Sequence, residues 1–180
     1  MNILIDNKAV SFTEKDLPLL ISGADKTGTS FFSICLLANL LKNGNKVLLF
    51  SAYPAAKEEF RNQVGDNLEN AIIIESGEEV DLLETLKNIP DLSQRIVLIK
   101  NIENYNLALF EAVSNLKLLI FSGDLDKCQF ADKLIKKEWA TKIFFSQSAK
   151  YPQARMENLE KYCGRIINQS HPGTIKLDIK

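Results

Sequence analysis

Short apolar runs punctuate the chain at residues 19–22, 46–50, 71–74, 95–99, 117–121 and 141–145. Each is rich in Leu, Ile, Val or Phe, and within each the apolar residues are consecutive rather than alternating with polar ones. A run of that length without alternation predicts a strand covered on both faces. Between the runs lie segments that predict helices, at 29–42, 55–65, 78–88, 105–115, 126–138 and 152–162. Strand and helix in alternation build βαβ units. The predicted fold is therefore α/β, three layers, with a mostly parallel sheet and helices on both of its faces.

The segment 29–42 carries a further message. Phe31, Phe32, Ile34, Cys35, Leu36, Leu37, Ala38, Leu40 and Leu41 leave almost no polar face, and a helix apolar all round is buried. Asn43-Gly44-Asn45 supplies the stop. The two ends of the chain have a different rhythm. Residues 2–12 predict a hairpin turning at Asp6-Asn7-Lys8. Residues 164–179 predict another, turning through His171-Pro172-Gly173, and its second half alternates as a half-exposed antiparallel edge does. The expected organisation is one domain over 1–180: an N-terminal hairpin extension (1–17), a core (18–163) and a C-terminal antiparallel hairpin (164–180).

The buried helix is preceded by the most informative stretch of the sequence. The strand Leu19 to Ser22 runs into Gly23-Ala24-Asp25-Lys26-Thr27-Gly28-Thr29-Ser30. This is the frame of a phosphate-binding P-loop, G-x-x-x-x-G-K-[ST], with Thr29 in the lysine position. Glycines allow close backbone approach, and amides at a helix N-terminus cradle phosphate oxygens. The lysine is what carries positive charge to the β- and γ-phosphates. Gly23, Ala24, Asp25, Lys26, Thr27, Gly28, Thr29 and Ser30 are the candidate nucleotide-binding residues, in a loop that keeps the cradle and lacks the charge.

Metal-assisted phosphoryl transfer also needs an acid at the tip of a second strand, to order a Mg²⁺ shell. The strand 95–99 is in place, but the expected Asp-Glu pair is Lys100-Asn101. Lysine repels Mg²⁺ and cannot activate water as a carboxylate. Asp25 adds a negative charge to the phosphate loop. Thr29, Lys100 and Asn101 together argue that catalysis is lost, so no catalytic residue and no metal ligand is assigned. The alternative is chemistry by relocated groups: Lys26 for charge, Glu103 or Asp124 for metal. Lys100 is a second candidate source of charge, at the ligand end of the sheet. Ser30 keeps the hydroxyl of a metal ligand, or simply caps the helix.

Composition narrows the partners. The formal charge of −1 gives no bulk attraction for nucleic acid. Lys133, Lys136, Lys137 and Lys142 form a modest basic cluster, which suits a solvated helix end better than DNA. Phe130, Leu134 and Trp139 read as core. No apolar run reaches the length of a membrane span, and residues 1–6 lack the pattern of a signal peptide. Cys35, Cys128 and Cys163 are far apart and odd in number, as expected of buried, reduced thiols in the cytoplasm. One histidine, His171, supports no catalytic triad.

With these residues in view, the chain resembles the RecA-like P-loop ATPases, and within them the HerA–FtsK and type IV secretion coupling-protein group. The likeness runs from Leu20 through Phe32 and on through Leu40 to Leu48. It continues in Ile96 to Tyr105, as the Walker B strand with its acids replaced. It extends to Leu119 to Leu125, where Ser122 stands at the γ-phosphate-sensing position, and to Ala140 to Gln147 with Tyr162-Cys163-Gly164. The resemblance implies a RecA-like core, a ring-forming habit, and service in a machine that moves DNA or protein. Combined with the departures, it implies a pseudo-ATPase that acts by binding and assembly. ATP or ADP would be held weakly or not at all, without Mg²⁺. The partner would be an active homologous ATPase or a second copy of the chain.

Overall fold

The computed structural model describes residues 2–5, 8–75, 79–146, 148–151, 163–168 and 173–178. The strands are β1 (Asn2–Ile5), β2 (Lys8–Ala9), β3 (Leu19–Ser22), β4 (Val47–Ser51), β5 (Ala71–Glu75), β6 (Ile96–Lys100), β7 (Leu119–Gly123), β8 (Thr141–Phe144), β9 (Cys163–Asn168) and β10 (Gly173–Asp178). The helices are α1 (Thr29–Lys42), α2 (Ala56–Val64), α3 (Glu79–Asn88), α4 (Leu107–Val113) and α5 (Ala131–Lys136). The described strands form one sheet in the order β2-β1-β10-β9-β8-β3-β7-β6-β4-β5. From β8 through β5 the neighbours are parallel, whereas β2, β1, β10, β9 and β8 pair antiparallel.

The consecutive apolar runs are explained by two cores, one on each face. Leu19, Ile21, Val47, Leu49, Ile96, Leu98 and Ile120 join α1 and Phe60 in one. Leu20, Leu48, Phe50, Val97, Ile99 and Phe121 join Leu109, Phe110, Val113 and Leu134 in the other. Successive side chains of a strand point to opposite faces, so a strand with a core on both sides must be apolar throughout.

Helix α1 packs on β3, β4, β6 and β7 and also along α2, which itself reaches β5. That double contact is why it has no polar stripe. Phe32 is fully buried and meets the rings of Phe12 and Phe145 at 5.9 and 5.3 Å. The helix ends as the sequence predicts: the Gly44 amide donates to the Leu41 carbonyl and the Asn45 amide to the Leu40 carbonyl, a Schellman closure.

Three expectations need correction. The last strand does not form a sheet edge, because β1 pairs along β10 and extends the sheet. The helix expected at 126–138 is confined to α5, and Phe130 and Trp139 pack from either side of it. Residues 124–128 form successive turns instead, with Lys127 and Cys128 amides donating to the Asp124 and Leu125 carbonyls. Asp126 is drawn out of any helix because its carboxylate accepts from the Ser148 hydroxyl and the Ala149 and Lys150 amides. Finally, β6 runs one residue further than expected, so Lys100 belongs to the strand. The helix expected at 152–162 and the turns at Asp6-Asn7 and His171-Pro172 lie outside the described residues.

Candidate functional site

The chain leaves β3 between β7 and β8, its parallel neighbours on either side. It first runs from β3 through α1 to β4 on the β7 side, and later reaches β8 on the other. This is the switch point at which open α/β sheets bind ligands, outside the C-terminal ends of the strands. The Phe145 amide donates to the Ser22 carbonyl at 2.7 Å and the Gly23 amide to the Gly123 carbonyl at 3.2 Å. The Ser22 hydroxyl accepts the Leu125 amide, and the Ala24 amide donates to the Ser146 hydroxyl at 2.9 Å. The root of the loop is therefore fixed from both sides.

Within the loop the hydroxyls turn inward. Thr27 donates its hydroxyl to the Ala24 carbonyl at 2.7 Å, and its oxygen lies 3.0 Å from that of Thr29. Thr29 is thus buried against the loop, with its polar atom tied to Thr27. A Cβ on Gly23 would overlap both hydroxyls, so only glycine fits there. Gly28 has φ 103°, a left-handed conformation that starts α1. The first helical bond is from the Phe32 amide to the Gly28 carbonyl. The amides of Thr29, Ser30 and Phe31 consequently have no acceptor inside the helix. Ser30 is exposed and does not cap the helix, since Gly28 occupies that position with no side-chain bond. The capping role read for Ser30 is corrected accordingly.

Across the cleft, Ser51, Lys100 and Ser122 stand side by side in register at the tips of β4, β6 and β7. They have the parity of Leu49, Leu98 and Ile120, so they face α1. Lys100 is only 5% exposed, and its Nζ lies 3.0 Å from Glu59 Oε2, a carboxylate that reaches in from α2. Ser122 is 1% exposed, and its hydroxyl has no hydrogen-bond partner among the described residues. Asn101 turns the chain at φ 65°, and its Oδ1 accepts from the Ser51 hydroxyl at 3.3 Å. The loop, the strand tips and α2 enclose a cleft of about 570 Å³. Every loop candidate from Gly23 through Ser30 lines it except Thr27, which lies against Thr29. Lys100, Asn101, Glu103, Ser122 and Asp124 complete the lining on the strand side.

The candidate replacement groups are differently placed. Glu103 Oε2 accepts the Asp124 amide at 2.9 Å. Asp124 accepts the Asp126 amide and lies 3.3 Å from Lys127 Nζ. Lys127 also reaches Asp25 at 3.3 Å, linking the tip of the loop to the turn after β7. The two carboxylates hold the Lys127 ammonium above the usual lysine range, Asp124 foremost. Lys26 is exposed at φ 64°, without a hydrogen-bond or ion-pair partner among the described residues. A Mg²⁺ ion does not fit this arrangement: an ammonium stands in the strand-tip row, and the nearby acids are engaged with backbone and lysine. Two members of the basic cluster are engaged as well, Lys137 with the Ser114 carbonyl and the Trp139 ring, Lys142 with Tyr151.

Sequence reasoning missed Glu59, Ser146 and Lys127. For Glu59 a signal existed. Ala56 and Phe60 are the buried positions of α2, and residue 59 flanks that stripe on a helix.

No protein-family model matches the sequence, and no curated protein matches it. Solved structures do resemble the fold. The flagellar accessory protein FlaH from Methanocaldococcus jannaschii superposes with a TM-score of 0.58 at 12% identity, over 87% of this chain and 83% of that one. ATPases 2 and 3 of EssC from Geobacillus thermodenitrificans give 0.66 at 12% identity, over 98% of this chain and 40% of that longer one. A second structure, the cytoplasmic domain of EssC, gives 0.55 at 12% identity, over 94% and 40%. No described helix is long and apolar enough to cross a membrane. Sheet order, loop and neighbours agree on one conclusion: the chain has the RecA-like P-loop ATPase fold.

Proposed function

We propose that this chain is a catalytically degenerate P-loop domain that works by binding and assembly rather than by turning over ATP. The observation that carries this reading is Lys100, a buried ammonium paired with Glu59 where the fold's chemistry calls for a metal-ordering acid. The absence of a lysine at Thr29 supports it from the other side of the cleft. So does the engagement of Glu103 and Asp124, the two acids that relocated chemistry would require.

On this reading the cradle from Gly23 to Ser30 holds ATP or ADP weakly, as a ligand rather than a substrate. The natural partner is an active ATPase of the same fold or a second copy of the chain, in a cytoplasmic machine that handles DNA or secretes protein. EssC supports the first choice by analogy, since the structure this chain resembles comprises EssC ATPases 2 and 3. An assay of phosphate release with ATP and Mg²⁺ tests the reading. The expected result is a rate equal to that of Gly28→Arg, whose side chain blocks the loop. Turnover above that level, lost in Lys26→Ala or Glu103→Gln, would overturn the reading in favour of relocated catalytic groups.

A further inference from the structure

We infer that Lys100 and Ser122, with the first amides of α1, form a metal-independent site for a phosphate-bearing anion, and that Glu59 covers the site until the anion displaces it. The inference rests on the reading above and assigns the charge that the loop itself lacks.

Three independent features converge on the cleft. The first is the Lys100 ammonium, fixed at a strand tip and screened from water. Its partner carboxylate is not so constrained, since the Glu59 side chain is 47% exposed. The pair is therefore asymmetric. Removing Glu59 costs the carboxylate little, because it returns to water, but it strands a buried ammonium that then requires another anion. The second feature is Ser122, in register with Lys100 on the same face of the sheet. Its buried hydroxyl lacks a partner among the described residues, and a buried donor of that kind is satisfied by a ligand oxygen. The third is the N-terminus of the long helix α1, whose amides at Thr29, Ser30 and Phe31 have no internal acceptor and whose dipole favours negative charge.

The ligand class follows from this set of donors. It offers one buried ammonium, one buried hydroxyl and several amides, with Lys26 as a second, exposed ammonium in the lining, and among the lining side chains the carboxylates already have partners. Glu103 holds the Asp124 amide, and Asp25 and Asp124 share Lys127. A compact anion with many acceptor oxygens, a diphosphate above all, can use both walls at once. A single carboxylate cannot. A Mg²⁺-complexed diphosphate would bring a divalent charge toward Lys100, so the site favours the metal-free form.

Calorimetry of the intact chain with pyrophosphate tests this, first in EDTA and then in Mg²⁺. Wild-type protein should bind pyrophosphate in EDTA, and Mg²⁺ should not tighten the binding. Glu59→Gln removes the competing charge from a half-exposed position, and should tighten binding by about tenfold. Lys100→Met should weaken it by at least about tenfold, and a thermal melt of the same sample checks that the variant is folded. Ser122→Ala should weaken it less. A parallel titration with ADP tells a free phosphate ligand from a nucleotide one.

Several results would overturn the inference: no pyrophosphate binding to wild type or Glu59→Gln, a requirement for Mg²⁺, weaker binding in Glu59→Gln, or wild-type affinity in folded Lys100→Met. ADP binding that survives in Lys100→Met without ATP turnover would remove the inference and leave the degenerate-domain reading standing. ATP turnover with Mg²⁺ would remove that reading instead.

Discussion

The carboxylate of Glu103 accepts the backbone amide of Asp124 at 2.9 Å, joining the turn after β6 to the turn after β7. The two turns border the same cleft. A charged acceptor on a partly buried amide is among the stronger hydrogen bonds, and its loss leaves the amide unpaired. Glu103→Ala should therefore destabilise the fold by about 1–2 kcal/mol. Urea unfolding of the variant beside wild type measures this. Were Glu103 a metal ligand instead, stability without metal would stay at the wild-type value and Mg²⁺ would affect the two proteins differently.

Gly28 starts α1 at φ 103°, where a Cβ meets the backbone. Gly28→Ala should cost about 1–2 kcal/mol through backbone strain alone. Gly28→Arg carries the same strain and adds a side chain over the cradle. If the cradle binds phosphate, ADP heat in calorimetry should shrink in the first variant and vanish in the second. Equal loss in both would mean that strain, not obstruction, controls the loop.

Phe32 shows what the α1 pattern is for. It is fully buried between Phe12 and Phe145, immediately after the loop. Phe32→Ala should cost about 3–5 kcal/mol, by lost burial and by the cavity left behind. Phe31, its neighbour in sequence, is 36% exposed at the cleft. Phe31→Ala should cost well under about 1 kcal/mol in urea unfolding. The contrast between adjacent phenylalanines checks the orientation of the helix.

Much of this architecture is legible in the sequence because it follows from burial. Strands covered on both faces have to be apolar at every position, and α1 has to be apolar all round when sheet and α2 enclose it. The loop is legible because Gly23 and Gly28 meet steric demands that no other residue meets. What is not legible depends on side chains that meet across long stretches of chain. Asp126 looks helical in isolation, yet its carboxylate is claimed by residues 148–150. β10 alternates like an edge strand, yet β1 arrives from the far end of the chain to cover it. Lys100 could be read as a departure from the family pattern, but its pairing with Glu59 depends on the angle at which α2 returns over the sheet.

All three cysteines are buried. Burial pushes the thiols of Cys35 and Cys128 up to about 11, in each case as the largest influence. At pH 8 roughly one in a thousand of either is thiolate, and the thiolate is the reactive form. Neither residue should react with a disulfide reagent in the native protein, and both should react once urea unfolds it. Rapid labelling of Cys35 under native conditions would mean that the packing over this part of α1 opens locally.

Asp126 predicts how the fold responds to acid. Burial pushes its carboxyl up, but the Ser148 hydroxyl and the Lys150 and Ala149 amides outweigh that and hold it below the usual range. A carboxyl with a lower pKa in the folded than in the unfolded chain stabilises the fold in its charged form. That contribution is complete above the unfolded value of about 4 and is lost as the pH falls through the folded value. At pH 7, Asp126→Asn should cost about 1 kcal/mol, since the amide keeps one acceptor and turns a donor toward the backbone amides. As the pH falls below about 4 the penalty should begin to shrink, because the unfolded carboxyl then takes up a proton and the charged form contributes less to the fold. Urea unfolding of both proteins from pH 7 to pH 3 measures the difference. A penalty unchanged by pH would mean that shape, not charge, holds the 148–150 segment against the turn after β7.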